Sequence, residues 1–182
     1  MPLYQTTLVI QVKWSKTQPG WVKINTSGSF FGNPKKAGGG WILWCSNGDW
    51  IIGFARKFGK TSSNMAEVWA LRDGLNLARQ LGIDNIFVEM DAKFLVYLLS
   101  NLSILNLMLE TLLNDCKSQM RTFTNCTVAH VYGEANSYVD RLAKMKGNLI
   151  PNYLFLNDLE LMVESLLANN KAKHFCNKLI IH

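Results

Sequence analysis

Trp41-Ile42-Leu43-Trp44-Cys45-Ser46-Asn47-Gly48-Asp49-Trp50-Ile51-Ile52-Gly53-Phe54-Ala55 is an apolar strand, an Asn-Gly turn and a second apolar strand. Asn-Gly suits a tight hairpin because both residues accept positive φ, and the twist of that turn matches the twist of the strands it joins. The stretch predicts antiparallel strands over 41–45 and 50–55. Upstream, Trp21-Val22-Lys23-Ile24-Asn25-Thr26-Ser27 alternates well enough for a half-buried strand. Together these form a three-strand meander. Residues 28–40 lie between the first two strands and hold five glycines and Pro34, with Lys35 and Lys36 at their centre. This composition predicts a flexible turn or loop.

Downstream, the periodicity changes from strand to helix. Met65, Val68, Leu71, Leu75, Ala78 and Leu81 follow Asn64 as an apolar helical stripe, and Gly82 stands where a helix ends. Residues 86–91 read as a strand with Ile86, Val88 and Met90 on one face and Phe87, Glu89 and Asp91 on the other. A strand, a helix and a further strand predict a right-handed crossover within one sheet. Helices follow near 92–100 and 105–120, the second carrying Leu105, Leu109, Leu112, Leu113, Cys116 and Met120. Residues 127–131 form a fifth strand. Residues 136–146 form a last amphipathic helix with Val139, Leu142 and Ala143 inward and Gly147 closing it. The order βββ-α-β-α-α-β-α predicts an α/β fold with a five-stranded mixed sheet, antiparallel meander plus parallel strands, flanked by helices.

The expected organisation is a single domain over 21–147. Residues 1–20 form a lead-in segment with a strand-like piece at 8–12 and a turn signal at Thr17-Gln18-Pro19-Gly20. Residues 148–182 form a hydrophobic tail with Tyr153, Phe155, Leu156 and a leucine-rich patch at 159–167, read as one helix and a ragged end. A length of 182 residues suits one domain with tails, and 48% hydrophobic against 18% charged residues is ordinary globular composition.

The net charge of +6, with an isoelectric point near 9.2, favours a polyanionic partner but equally describes a plain basic surface. Cys45, Cys116, Cys126 and Cys176 contain no CxxC pair, which excludes the usual zinc spacing and predicts free thiols in a reducing compartment. No secretory signal pattern opens the chain, and its apolar runs fall far short of a membrane span. The expectation is an intracellular protein without a membrane partner, nucleus and cytoplasm being indistinguishable.

Three acids fall at element ends. Glu67 lies in the first turn of the helix after the hairpin, Asp91 closes a strand, and Asp140 lies near the start of the last helix. Strand ends and helix starts of an α/β sheet gather at one edge, so the three can converge. Converging carboxylates repel unless a cation neutralises them, and oxygen-rich sites with few protein ligands suit Mg²⁺ or Mn²⁺. Each acid also has a plainer reading. Glu67 can close a capping box with Asn64, Asp91 can cap the following helix, and Asp140 can pair with Lys144.

Several motifs read together carry a resemblance. Trp21-Val22-Lys23-Ile24-Asn25-Thr26-Ser27-Gly28-Ser29 resembles the WVKxNTDGS opening of plant ribonuclease H-like domains, the retroelement-derived, reverse-transcriptase-associated branch of the type 1 ribonuclease H superfamily. Residues 37–43, AGGGWIL, resemble the family's glycine-rich turn into its second strand. Residues 64–75, NMAEVWALRDGL, are similar to its AE..AL helix. Val88-Glu89-Met90-Asp91-Ala92 matches its V.E.D strand end. His130-Val131-Tyr132-Gly133-Glu134-Ala135-Asn136 with Val139-Asp140-Arg141-Leu142-Ala143 is similar to HVxREAN..AD.LA. The set spans about residues 21–147 in order, a specific signal although each piece alone is weak.

The resemblance implies an endonuclease that hydrolyses the RNA strand of an RNA–DNA hybrid with Mg²⁺ or Mn²⁺ held by four carboxylates. By position, Glu67, Asp91 and Asp140 are three of these, both catalytic residues and metal ligands. The fourth position holds Ser27, whose hydroxyl is neutral at pH 7 and a poor ligand for a hard cation. His130 precedes Asp140 by ten residues, the spacing of the bacterial catalytic histidine, but it lies within a strand pattern and is read as a structural histidine. Gly133 stands where relatives usually carry arginine.

The expectation is therefore a nucleic-acid-binding ribonuclease H-type domain with impaired chemistry and weakened metal binding. The alternatives are a catalytically inactive binding module or a scaffold remnant of a retroelement. The partner would be a hybrid or double-stranded nucleic acid recognised by backbone shape and 2′-OH groups. Lys35, Lys36, Asn64 and Asn136 are candidate nucleic-acid contacts, with Arg56, Lys57 and Lys60 as further phosphate partners. Protein partners are not specified by the sequence.

Overall fold

The hairpin forms at the Asn-Gly site, but only Gly48 takes positive φ, and the turn is closed by Gly48 N–H on the Cys45 carbonyl and Cys45 N–H on the Asp49 carbonyl. In the computed structural model, which describes residues 7–31, 36–101, 107–145, 153–156 and 176–181, Gly48 takes φ +87° between strands β3 (Lys36–Trp44) and β4 (Trp50–Gly59). Strand β1 (Thr7–Val12) precedes β2 (Val22–Phe31), which pairs antiparallel with β3 to complete the meander. Helix α1 (Ser63–Gln80) then crosses to β5 (Asn85–Met90), which lies parallel to β2. Helices α2 (Lys93–Ser100) and α3 (Leu107–Met120) lead to β6 (Asn125–His130), parallel to β5, and then to α4 (Ser137–Met145). β2 to β6 are the expected five-stranded mixed sheet.

In the glycine-rich stretch, the glycines at 28 and 38–40 are strand residues and not loop, while residues 32–35 lie outside the described residues. Gly28 lies inside β2, and Gly38, Gly39 and Gly40 lie inside β3. Its glycines allow close approach: a Cβ on Gly28 would stand 2.5 Å from the Glu67 backbone nitrogen, and one on Gly40 would stand 2.8 Å from the Phe54 carbonyl oxygen. Glycine density here reflects tight packing of main chain on main chain, not flexibility.

The tail carries two strands that its sequence reading did not include. β7 (Tyr153–Leu156) adds a sixth strand on β4, giving the order β6-β5-β2-β3-β4-β7. β8 (Cys176–Ile181) pairs antiparallel with β1 in a separate two-stranded sheet. The leucine-rich patch at 159–167 and Gly147 lie outside the described residues.

One face of the sheet packs Ile24, Trp41, Val88 and Met90 against Val68, Leu71 and Leu75 of α1 and Leu113 and Cys116 of α3. The other packs Ile42, Trp44 and Ala55 against Val139 and Leu142 of α4, with Trp14, Trp50 and Tyr138 around them. α1 starts on Ser62, whose hydroxyl accepts from the Met65 N–H at 3.2 Å. Asn64 is therefore an exposed residue of the first turn and not the cap, so Glu67 closes no capping box with it. At its far end the Gly82 N–H donates to Arg79 and the Ile83 N–H to Ala78, with Gly82 at φ +70°. This is the left-handed ending that Gly82 predicts. Leu81 stands at the cap and is 50% exposed, so the apolar stripe stops at Ala78.

Candidate active site

The last paired positions of the parallel β2–β5 ladder are Thr26 and Met90. Ser27 and Asp91 therefore emerge side by side at the same edge. Alternation puts Lys23, Asn25 and Ser27 of β2 with Phe87, Glu89 and Asp91 on the α4 side, while Ile24, Val88 and Met90 face the main core. α4 starts at this edge and brings Asp140 in its first turn. α1 reaches it from the opposite face. Because Gly28 has no side chain, the helix backbone at Ala66 and Glu67 lies directly on β2, and the Gly28 N–H bonds the Glu67 carboxylate.

The acids influence one another as a converging group must. Glu67 is 6% exposed, and burial, then the Asp91 charge, then the Asp140 charge push its carboxyl up to about 8 against the Gly28 hydrogen bond. Burial also raises Asp91, as does Asp140, while hydrogen bonds from its own backbone and from the Asn136 side chain, and the nearby His130, act the other way. Asp140 pairs with Lys144 at 2.6 Å on the helix surface. Of the three plain readings, only this pair is realised: Asp91 does not cap α2, whose N-cap is Ala92 with no side-chain hydrogen bond.

The donor set can be tested against a metal. Glu67 Oε2 is buried without a hydrogen-bond partner, an arrangement that a hard cation would relieve. Against this, Ser27 is buried to 1% exposure and supplies no charge. Among the described residues, no group of three or more His, Cys, Asp or Glu side chains is gathered closely enough to hold a metal ion. Glu67 and Asp91, which act on one another electrostatically, are the residues that would hold a divalent ion, with water or phosphate completing its shell.

The remaining candidates divide. Lys36 is exposed at the start of β3, and Lys57 and Lys60 follow at the end of β4; both points lie at the sheet end where α1 begins. Arg56 is tied to Asp73 at 2.9 Å. Lys35 lies outside the described residues. Asn136 is 1% exposed and fully engaged by protein, which removes it as a nucleic-acid contact. His130 ends β6 with its ring packed edge-on against Tyr132, as a structural histidine would, yet within electrostatic reach of Asp91. A Cβ on Gly133 would lie 3.6 Å from Asp91 Oδ2, so any side chain there would flank that carboxylate. A cleft of about 440 Å³ lined by Leu99, Lys117, Arg121 and Cys126, among others, contains none of the three acids.

Sequence reasoning missed a buried polar network behind the edge. Lys23 Nζ donates to Glu89 Oε1 at 2.7 Å and to the Ser15 carbonyl at 2.5 Å. Asn25 Nδ2 donates to Glu89 Oε2 and to Asn136 Oδ1, both at 3.1 Å. The available signal was alternation: Lys23, Asn25 and Glu89 stand on the strand face that also carries Ser27 and Asp91, where charged residues need partners.

A family model of reverse transcriptase-like proteins matches residues 25–146. An Arabidopsis thaliana protein provisionally named a ribonuclease H protein is 32% identical over 132 residues, 72% of this chain. The chain spans about one fifth of the length of that relative. Two solved structures are similar at the level of fold and sequence. The N-terminal ribonuclease H domain of a Mycobacterium tuberculosis protein, solved as a fusion with maltose-binding protein, is 28% identical with TM-score 0.65, covering 69% of this chain and 97% of that one. Ribonuclease H1 of the halophilic archaeon Halobacterium salinarum is 25% identical with TM-score 0.64, covering 68% and 95%.

Proposed function

The chain belongs to the reverse transcriptase-like family and has a ribonuclease H-like fold, and from that premise we propose that it is a nucleic-acid-binding ribonuclease H-type domain whose RNA–DNA hybrid cleavage is impaired at Ser27. The observation that carries the reading is the position of Ser27, level with Asp91 and buried at the edge where Glu67 and Asp140 also act. On this reading Glu67, Asp91 and Asp140 stand for three acids of the four-carboxylate set, and the fourth position is the neutral Ser27.

A divalent ion on Glu67 and Asp91 would supply positive charge to a phosphodiester and to an attacking water. The chain's own residues do the following. Lys36, Lys57 and Lys60 offer phosphate contacts at the sheet end where α1 begins. Lys144 offsets the Asp140 charge. Asn136 holds Asp91, and Gly28 holds one side of Glu67. With Glu67 near 8, that carboxyl keeps its proton at neutral pH and opposes cation binding there, and Ser27 provides no anion to offset this.

The same position supports a second reading, a binding module without chemistry. One experiment separates them: cleavage of a labelled RNA–DNA hybrid in Mg²⁺ or Mn²⁺ by the natural chain and by Ser27→Asp, alongside hybrid binding at rising salt. Slow cleavage by the natural chain supports impairment. Binding with no cleavage supports the module. Absence of binding at low salt removes both.

A further inference from the structure

The buried network behind the edge connects the segment before β2 to Asp91. Trp14 Nε1 donates to Asn25 Oδ1 at 3.2 Å. Asn25 passes both amide hydrogens onward, one to Glu89 and one to Asn136 Oδ1. Asn136 Nδ2 donates to the Thr26 carbonyl at 2.8 Å, and its side chain also bonds Asp91. The direction of every amide is dictated. Turning Asn25 over would put its oxygen against the Glu89 carboxylate and its NH₂ against the Trp14 N–H, and Asn136 needs both hydrogens for two acceptors.

Lys23 fixes the other end. It is fully buried, neutralises Glu89, and lies over the Trp14 ring at 5.0 Å and the Phe87 ring at 5.2 Å. Trp14 is seated against Trp44 with ring centroids 5.2 Å apart. Among the described residues, the lead-in segment meets Asn25 through the Trp14 donor and Lys23 through the Ser15 carbonyl, and Trp14 also packs on Trp44.

We propose that Trp14 and Lys23 are positioning residues that orient the Asp91 carboxylate through Asn25 and Asn136. Asp91 makes its side-chain bond to Asn136, and the orientation of Asn136 is set by Asn25. Asn25 in turn is oriented by Trp14 and by Glu89, which Lys23 holds. The role of Asp91 in chemistry rests on the function proposed above; the relay itself does not.

Trp14→Phe keeps an aromatic ring for Trp44 and removes the Nε1–H donor. In the natural chain, nuclear magnetic resonance hydrogen exchange of the Asn136 side-chain amide should accelerate about ten-fold, the equivalent of one net hydrogen bond. The backbone amides of Leu43 and Val88 should keep their protection. Unchanged Asn136 exchange, or acceleration shared equally by Leu43 and Val88, overturns the relay. In the Ser27→Asp background, Trp14→Phe should lower kcat at unchanged KM; a change confined to KM also overturns it. If Ser27→Asp proves inert, the exchange measurement still decides the relay, so the two ideas fail separately.

Discussion

Ser27 and Asp91 are the first residues beyond the last paired position, Thr26 with Met90, of the parallel β2–β5 ladder. A neutral hydroxyl therefore stands level with a carboxylate whose pKa is raised by burial and by Asp140. An aspartate at 27 would add a fourth acid to Glu67, Asp91 and Asp140, and the added repulsion would favour a bound cation. The serine adds no charge to this edge.

Stability should depend on pH through Glu67. Its carboxyl titrates at about 8 in the fold against an ordinary value of 4.5, so the folded state binds the proton more tightly. Stability from this group is full below about 4.5 and is lost as pH rises to about 8, by at most roughly 1.4 kcal/mol per pH unit. Thermal unfolding of Glu67→Gln between pH 5 and 9 should show a shallower decline than the natural chain. Parallel curves would contradict the assignment.

Gly28→Ala should disturb the site through backbone contact. The added Cβ would stand 2.5 Å from the Glu67 nitrogen and 2.8 Å from the Ala66 carbonyl carbon, neither of which is a flexible side-chain end. Overpacking of this kind costs about 1–3 kcal/mol, and α1 must shift and take Glu67 with it. Denaturant unfolding measures the first effect, and a change in the titration of Glu67 reports the second.

Breaking the buried Lys23–Glu89 pair should be more severe. Lys23→Met leaves Glu89, 7% exposed, with Asn25 as its one hydrogen-bond donor among the described residues. Removing one partner of a buried pair destabilises by about 3–5 kcal/mol. Equilibrium unfolding in urea should show it, and a destabilisation below about 1 kcal/mol, typical of an exposed pair, would contradict burial of the pair.

Hybrid binding through the basic rim should weaken with salt. Replacing Lys36, Lys57 and Lys60 together by alanine should make the log–log salt slope shallower by up to about 0.9 for each phosphate that the protein no longer neutralises. An unchanged slope would show that these lysines are an ordinary solvated face.

The element order and the mixed sheet were legible because alternation, the Asn47-Gly48 turn and the Gly82 helix stop are local signals. Strand lengths around 28–40 were not, since glycines chosen for close backbone approach look the same in sequence as glycines chosen for freedom. The strand at Tyr153–Leu156 was hidden for a related reason: four residues added to the edge of β4 carry no periodicity of their own. Asn136 reads as a surface contact in the sequence because its role depends on Asn25 and Asp91, far away in the chain. Trp14 falls in the lead-in segment by its position, although it reaches Asn25 eleven residues on.

The most direct test is Mg²⁺- or Mn²⁺-dependent cleavage of a labelled RNA–DNA hybrid by the natural chain and by Ser27→Asp, with each protein first shown to bind the hybrid. The account predicts weak or absent cleavage by the natural chain and a clear gain in Ser27→Asp. Equal cleavage by both proteins, or none by either despite binding, would contradict the claim that Ser27 alone separates this edge from a working site.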